Sequence, residues 1–236
     1  MSAEPPATPS SDVEEPGERN RRLLMVLGVV VAVSALVAGA VVFSSGPSPK
    51  PPVDPQAPVR ASDTTLVVGQ PSARTKVIVY EDFTSTGSRE FEIASRDFLR
   101  VEAGQGHALV EYHPVTLGGP RAAGVPLAAW EAVLEAGSAR QALALHDLMF
   151  DRQIPDGGVP AVDLVALARK AGVTNSQVLE TVGALDVSPP ASTQPAAVPA
   201  GVRTTPTVLV NGEPVTAPSP TALADEVQRT VLAADR

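Results

Sequence analysis

The chain has 236 residues, enough for one or two domains, with 44% hydrophobic residues, a formal net charge of −8 and no cysteine. The missing cysteine excludes structural disulfides, thiolate metal sites and lipid attachment through sulfur. From Arg60 onward 14 basic residues face 20 acidic ones; with no basic stripe and eight aromatic residues in the chain, no nucleic-acid partner is expected.

Residues 1–22 open the chain with Pro5, Pro6, Pro9 and Pro16 among Ser, Asp and Glu, then Arg19, Arg21 and Arg22. This composition buries too little apolar surface to fold, so a disordered tail is expected. Leu23 to Phe43 then runs 21 residues without a charge, 13 of them Leu, Val or Phe. Such a run favours insertion by about 4–8 kcal/mol and matches the thickness of a bilayer core. The arginines before the span place the N-terminus in the cytoplasm and the remainder outside. The lipid bilayer, met through residues 23–43, is thus one expected partner. Ala38-Gly39-Ala40 also fits a signal-peptide cleavage pattern. The apolar run continues through Val41-Val42-Phe43, however, so an uncleaved single-pass anchor in the cell membrane is expected. Residues 44–62 carry six prolines and read as an extended linker.

A globular domain is expected over 63–236. Thr64 to Val68 reads as a short strand turned by Gly69-Gln70-Pro71. The apolar run Val77-Ile78-Val79-Tyr80 reads as a central strand buried on both faces. Glu81 and Asp82 close it as a buried acid and its neighbour, and Phe83 is its last apolar anchor. Thr84-Ser85-Thr86-Gly87-Ser88 offers helix caps, and Phe91, Ala94, Phe98 and Leu99 give the next helix an inward stripe. Gly104-Gln105-Gly106 ends that helix. Ala108 to Tyr112 is a second strand. A helical block is expected at about 120–186. Its first helix, Arg121 to Glu135, is apolar through Ala122, Val125, Leu127, Trp130 and Leu134. Ser138 and Gln141 form a capping-box pattern before a second. Pro160 at a first helical position begins a third, and Thr174 with Gln177 starts a short fourth. Val187 to Ala200 is a proline-rich loop. Thr207 to Val210 is a strand, Asn211-Gly212 a hairpin turn, and Glu213 to Thr216 the return strand. Ser219-Pro220 opens a last helix with Leu223, Val227, Val231 and Leu232 inward.

Asp82-Phe83-Thr84-Ser85-Thr86-Gly87-Ser88 resembles the active-site segment of the DsbA-like thioredoxin family, with Ser85 and Ser88 at its two cysteine positions. His146-Asp147-Leu148-Met149-Phe150 is similar to that family's H-D-L-L-F helix. Gly201-Val202-Arg203-Thr204-Thr205-Pro206-Thr207 is similar to its cis-proline element, with Thr204 in place of the usual glycine. The resemblance covers roughly Thr64 to Leu232. It implies an α/β thioredoxin-like fold with a DsbA-type helical insertion, preceded here by the transmembrane helix and the proline-rich linker. It also implies a disulfide-oxidoreductase scaffold without sulfur, because exchange needs a thiolate and a resolving thiol. In relatives an acidic group near the motif assists proton transfer, a role that Glu81 or Asp82 would have no thiol to serve.

No catalytic residue and no cofactor are expected. Ser85 and Ser88 are read chiefly as helix caps. Ser85, Thr86, Thr205 and Pro206 are the candidate binding residues, since a cis bond before Pro206 would turn Thr205 toward the helix N-terminus, where relatives bind extended substrate. No metal is expected, because His107, His113 and His146 fit no ligand spacing. His146 itself reads as a packing or surface residue. The expected function is an outward-facing, redox-inactive module that binds an extended peptide or an envelope protein. The alternative is similar to a kappa-class glutathione transferase, with Ser85 activating a low-molecular-weight thiol. A third reading is a structural spacer whose fold is a relic.

Overall fold

The computed structural model describes residues 57–234, except 63, 118–123, 137, 155–157 and 188–200. The expected tail 1–22, the span 23–43, most of the linker 44–62, Ala122 and nearly all of the proline-rich loop lie outside the described residues. Among the described residues no helix is long and apolar enough to cross a membrane.

Six strands form one sheet: β1 (Val59–Ser62), β2 (Thr65–Val68), β3 (Thr75–Glu81), β4 (Ala108–Pro114), β5 (Thr207–Val210) and β6 (Glu213–Val215). Their order is β1-β2-β4-β3-β5-β6. Only β3 and β4 run parallel. The register aligns Val59, Val68, Val110, Val77 and Val210 in one row across five strands. β-Branched side chains on a pleated, half-buried surface favour that pairing. β1 lies within the expected linker. The sheet therefore begins before residue 63, and Ala57 is already buried, its carbonyl accepting a hydrogen bond from Arg140.

The helices are α1 (Thr86–Gln105), α2 (Val125–Ala136), α3 (Ala139–Arg152), α4 (Leu164–Lys170), α5 (Ser176–Val187) and α6 (Pro220–Ala234), with one turn of 3₁₀ helix at Ala161–Asp163. α1 joins β3 to β4, and α2 to α5 form the insertion between β4 and β5. The Ser138–Gln141 capping box is present in full. α5 is capped by Asn175, whose side chain accepts from the Gln177 and Val178 amides, rather than by Thr174. Pro160 precedes the 3₁₀ turn instead of opening a helix.

β3 departs from expectation. α1, α3 and α6 all pack on the face that carries Val77, Val79, Val110 and Tyr112. Val77 and Val79 are fully buried, whereas Ile78 and Tyr80, pointing the other way, are only half-buried. The strand is central in the sheet but fully buried on one side. Two helical positions also differ: Ala94 and Leu232 face solvent. The inward face of α1 is instead Phe91, Glu92, Ser95, Arg96, Leu99 and Arg100. That face carries three charges into the core, and they define the region beneath the turn.

Candidate functional site

β3 delivers the chain to a tight turn. Asp82 accepts hydrogen bonds at Oδ1 from the amide and the hydroxyl of Thr84, at 2.8 and 2.7 Å. This fixes the bend that an acidic residue before a helix commonly makes. Ser85 is the N-cap of α1, its Oγ accepting from the Ser88 amide at 3.2 Å. The Ser88 hydroxyl accepts from the Asp82 amide at 3.1 Å and is fully buried. Each serine thus occupies a free N–H of the first helical turn or the bend before it.

The same turn meets the segment before β5. The Thr205–Pro206 peptide is cis. The Ser85 hydroxyl donates to the Thr205 carbonyl at 3.2 Å. Gly87 allows the close approach: a Cβ there would stand 3.3 Å from Pro206 Cδ and 3.4 Å from the Thr205 oxygen. Ser85, Thr205 and Pro206 are therefore brought together, with Thr86 exposed beside them. Neither the sequence motif nor its spacing indicated a third wall. Gln153, just past α3, donates to the Phe83 carbonyl at 2.6 Å and to the Ser85 carbonyl at 3.3 Å. Gly158 packs on Thr84 in a left-handed conformation, φ +63°.

Beneath the turn lies a buried ionic cluster. Glu81 Oε1 is 2.5 Å from His146 Nε2, and Asp147 Oδ1 is 3.0 Å from His146 Nδ1. Arg100 pairs with Asp147 at 3.0 Å, and Arg96 pairs with Glu92 at 3.0 Å. Arg96 also reaches the half-exposed Asp151 at 3.0 Å. The Tyr112 ring packs on His146 and under Arg100. His146 is thus neither an apolar packing residue nor a surface one, because both ring nitrogens point at carboxylates. Those carboxylates push its pKa up to about 10 against the opposing effect of burial. Burial also raises Glu81, while Arg100 and His146 hold Asp147 below its ordinary value. The shifts agree that the Glu81–His146 pair keeps its proton. Asp147 and Glu92 also face the ring, so the proton belongs on His146.

Ligand atoms of Glu81, Glu92 and His146 lie within 4.8 Å of one another. They do not suit a metal ion. Each is committed to an ion pair, and Arg96 and Arg100 supply the positive charge that a cation would bring. The sequence signal for this cluster is Glu92, Arg96 and Arg100 at helical i, i+4, i+8 spacing, beside Phe91 and Leu99 on the same face.

The fold and the turn define a thioredoxin-like protein with a DsbA-type helical insertion, a cis proline opposite the helix N-terminus, and no cysteine. The thioredoxin family model matches residues 61–229, and the chain belongs to that family. Oxidised DsbA of Mycobacterium tuberculosis is similar at 25% identity and a TM-score of 0.52, over 74% of this chain and 92% of that one. Two further structures share the fold. One is MdbA of Actinomyces oris, a thiol-disulfide oxidoreductase, at 20% identity and TM-score 0.53, over 76% of this chain and 90% of that one. The other is BdbD of Bacillus subtilis, at 16% and 0.54, over 76% and 97%. No curated protein matches the chain.

Proposed function

We propose that this chain is a membrane-anchored, outward-facing thioredoxin-fold module that binds an extended peptide or envelope protein without redox chemistry. The supporting observation is the Ser85–Thr205 hydrogen bond beside a cis Pro206. The turn and the loop opposite it are built to one another, yet neither carries an atom able to exchange a disulfide. The exposed Thr86 side chain and the half-buried Thr205 backbone form the contact region for an incoming strand. The kappa-like alternative is less well supported, because the Ser85 hydroxyl already donates to a carbonyl and is not free to stabilise a thiolate.

A photo-crosslinking side chain at position 86 of the full chain, activated in intact membranes, tests the reading. Cross-links to an envelope protein that persist after all its cysteines are replaced by serine are expected. Adducts that depend on cysteine, or binding of a low-molecular-weight thiol at Ser85, would overturn it. For the anchor, retention in membranes after carbonate washing is expected, and release of a form beginning near Val41 would establish cleavage instead. Protease added to cells without an outer barrier should cut between Pro47 and Pro58 and free the domain. Protection until lysis would reverse the topology.

A further inference from the structure

The geometry points to a conformational device: the protonated ring of His146 latches the inserted helices to the sheet, and loss of its proton in alkali releases the insertion while the sheet stays folded.

His146 stands on α3, inside the insertion. The groups facing it come from every element packed around it. β3 contributes Glu81 at 2.5 Å, and β4 contributes Tyr112, whose ring centroid is 4.9 Å away. α1 contributes Glu92 at 3.9 Å, with Arg96 and Arg100 behind it. Its own helix contributes Asp147 at 3.0 Å and, through Arg96, Asp151. A neutral imidazole has one N–H and one lone pair. Here both nitrogens face carboxyl oxygens within hydrogen-bond distance, and with Glu81 and Asp147 both ionised only the imidazolium, donating from each nitrogen, satisfies both.

The charge count requires one proton on the Glu81–His146 pair. The fully buried members are three carboxylates, Glu81, Glu92 and Asp147, facing Arg100 and the nearly buried Arg96. With His146 protonated these six groups sum to zero. Removing that proton leaves one negative charge with no access to water, and a ring lone pair pointing at Glu81. No neighbour compensates. Burial pushes Tyr112 far up, so it remains neutral, and both arginines are held charged beyond their ordinary value. His146 is the group of the cluster that titrates in moderate alkali, pushed up to about 10.

The cluster also sits where it must in order to act as a latch. It ties α3 to β3 and α1, whereas α2 to α5 pack mainly on one another, through Trp130, Leu134, Leu143, Leu164 and Val178, within the one core that they share with the sheet. Trp130 is the chain's one tryptophan, packs 6.3 Å from Phe83 of the turn and donates to the Ala142 carbonyl. Its emission therefore reports the join between insertion and turn.

The test is Trp130 emission of the full chain in mild detergent from pH 7 to 11, with hydrogen exchange read by mass spectrometry at both ends. A red shift with a midpoint near pH 10 is expected. Exchange should rise in 125–152 while 75–81 and 207–210 stay protected. The double variant Glu81→Gln with His146→Gln keeps the buried charges balanced at every pH and should show no transition. An unshifted wild-type spectrum, a transition that persists in the double variant, or sheet and insertion opening together would each overturn the latch. Should the double variant not fold, ¹⁵N shifts of the wild-type ring decide the matter. Both nitrogens protonated at pH 8 is the expected result, and a neutral tautomer there would overturn it.

Discussion

Two regions on either side of Asp82 are held together differently. The turn from Phe83 to Ser88 is closed by the carboxylate of Asp82 on Thr84 and otherwise by neutral hydrogen bonds, those of Ser85, Ser88 and Gln153. The layer around Glu81 is closed by six buried charges. The first is the region where thiol chemistry would take place, and it has no sulfur. The second is almost wholly buried, reaching solvent only where Arg96 meets Asp151, and could only support chemistry from below. Its charges pair with one another across β3, α1 and α3 without any thiol above them, so they join the insertion to the sheet in this chain. Neutral bonds at a half-exposed turn contribute about 0.5–1.5 kcal/mol each, whereas unpairing a buried charge costs several kcal/mol. The two regions should therefore respond very differently to substitution.

The largest effect is expected from the cluster. Asp147→Ala removes the carboxylate that lies 3.0 Å from both Arg100 and His146 Nδ1, which should cost about 3–5 kcal/mol in denaturant unfolding. Asp147 lies below its ordinary 3.8, so its contribution is complete above that value and lost as pH falls through the lower, native one. The wild type should lose stability in acid more steeply than the variant. His146 acts at the other end. Its contribution is complete below its ordinary 6.5 and lost as pH rises through about 10. A loss under 1 kcal/mol for Asp147→Ala would mean that the cluster is solvated, and the contrast between the two regions would collapse.

A middle effect is expected where the insertion touches the turn. At Gly158 a Cβ would stand 3.0 Å from Thr84 Cγ2 and 3.1 Å from Thr84 Cα, on a backbone with φ +63°. Gly158→Ala should therefore cost about 1–3 kcal/mol, through strain and displacement of Thr84. Thermal unfolding checks it, and an unchanged midpoint would show that this loop does not bear on the turn. A smaller effect is expected at the turn itself. Ser85→Ala removes one cap and one link to Thr205, about 0.5–2 kcal/mol, with the fold intact. A larger loss would place the serines among the structural essentials.

The sequence made the upper region legible and the lower one hardly at all. Ser85, Ser88, Thr205 and Pro206 lie in motifs whose spacing is local, so a linear reading finds them. The hairpin at Asn211-Gly212 and the capping box at Ser138 were legible for the same reason. The cluster draws one residue from β3, three from α1 and two from α3. A search for apolar periodicity passes over Glu92, Arg96 and Arg100 because charged side chains are read as a solvated face. An inward place falls by apolar spacing to Ala94, which faces solvent, while Ser95 and Arg96 take that face and Phe98 packs partly buried against the core. The same logic misread β3. An unbroken apolar run implies two buried faces, but Ile78 and Tyr80 lie opposite Glu111 and His113, on the face away from α1, α3 and α6.

The smallest stability change, and the most discriminating result, is expected from placing sulfur at the two serines. Ser85 is the N-cap and Ser88 lies three residues on in the first turn, a separation that brings the two Cβ atoms close enough for a disulfide. The helix N-terminus favours a thiolate at position 85. Ser85→Cys with Ser88→Cys should then form an intramolecular disulfide under mild oxidation, detected by alkylation and mass spectrometry. The bridge spans few residues, so it constrains the unfolded chain little and should alter stability only slightly. The bond would replace the capping contact that Ser85 makes to Ser88 and leave the buried charges as they are. Combining it with Asp147→Ala separates the two regions. If the turn is shaped by its own local bonds, the disulfide should still form in the weakened domain. Thiols that stay free there but close in the otherwise unaltered domain would show that the turn takes its geometry from the charges beneath it.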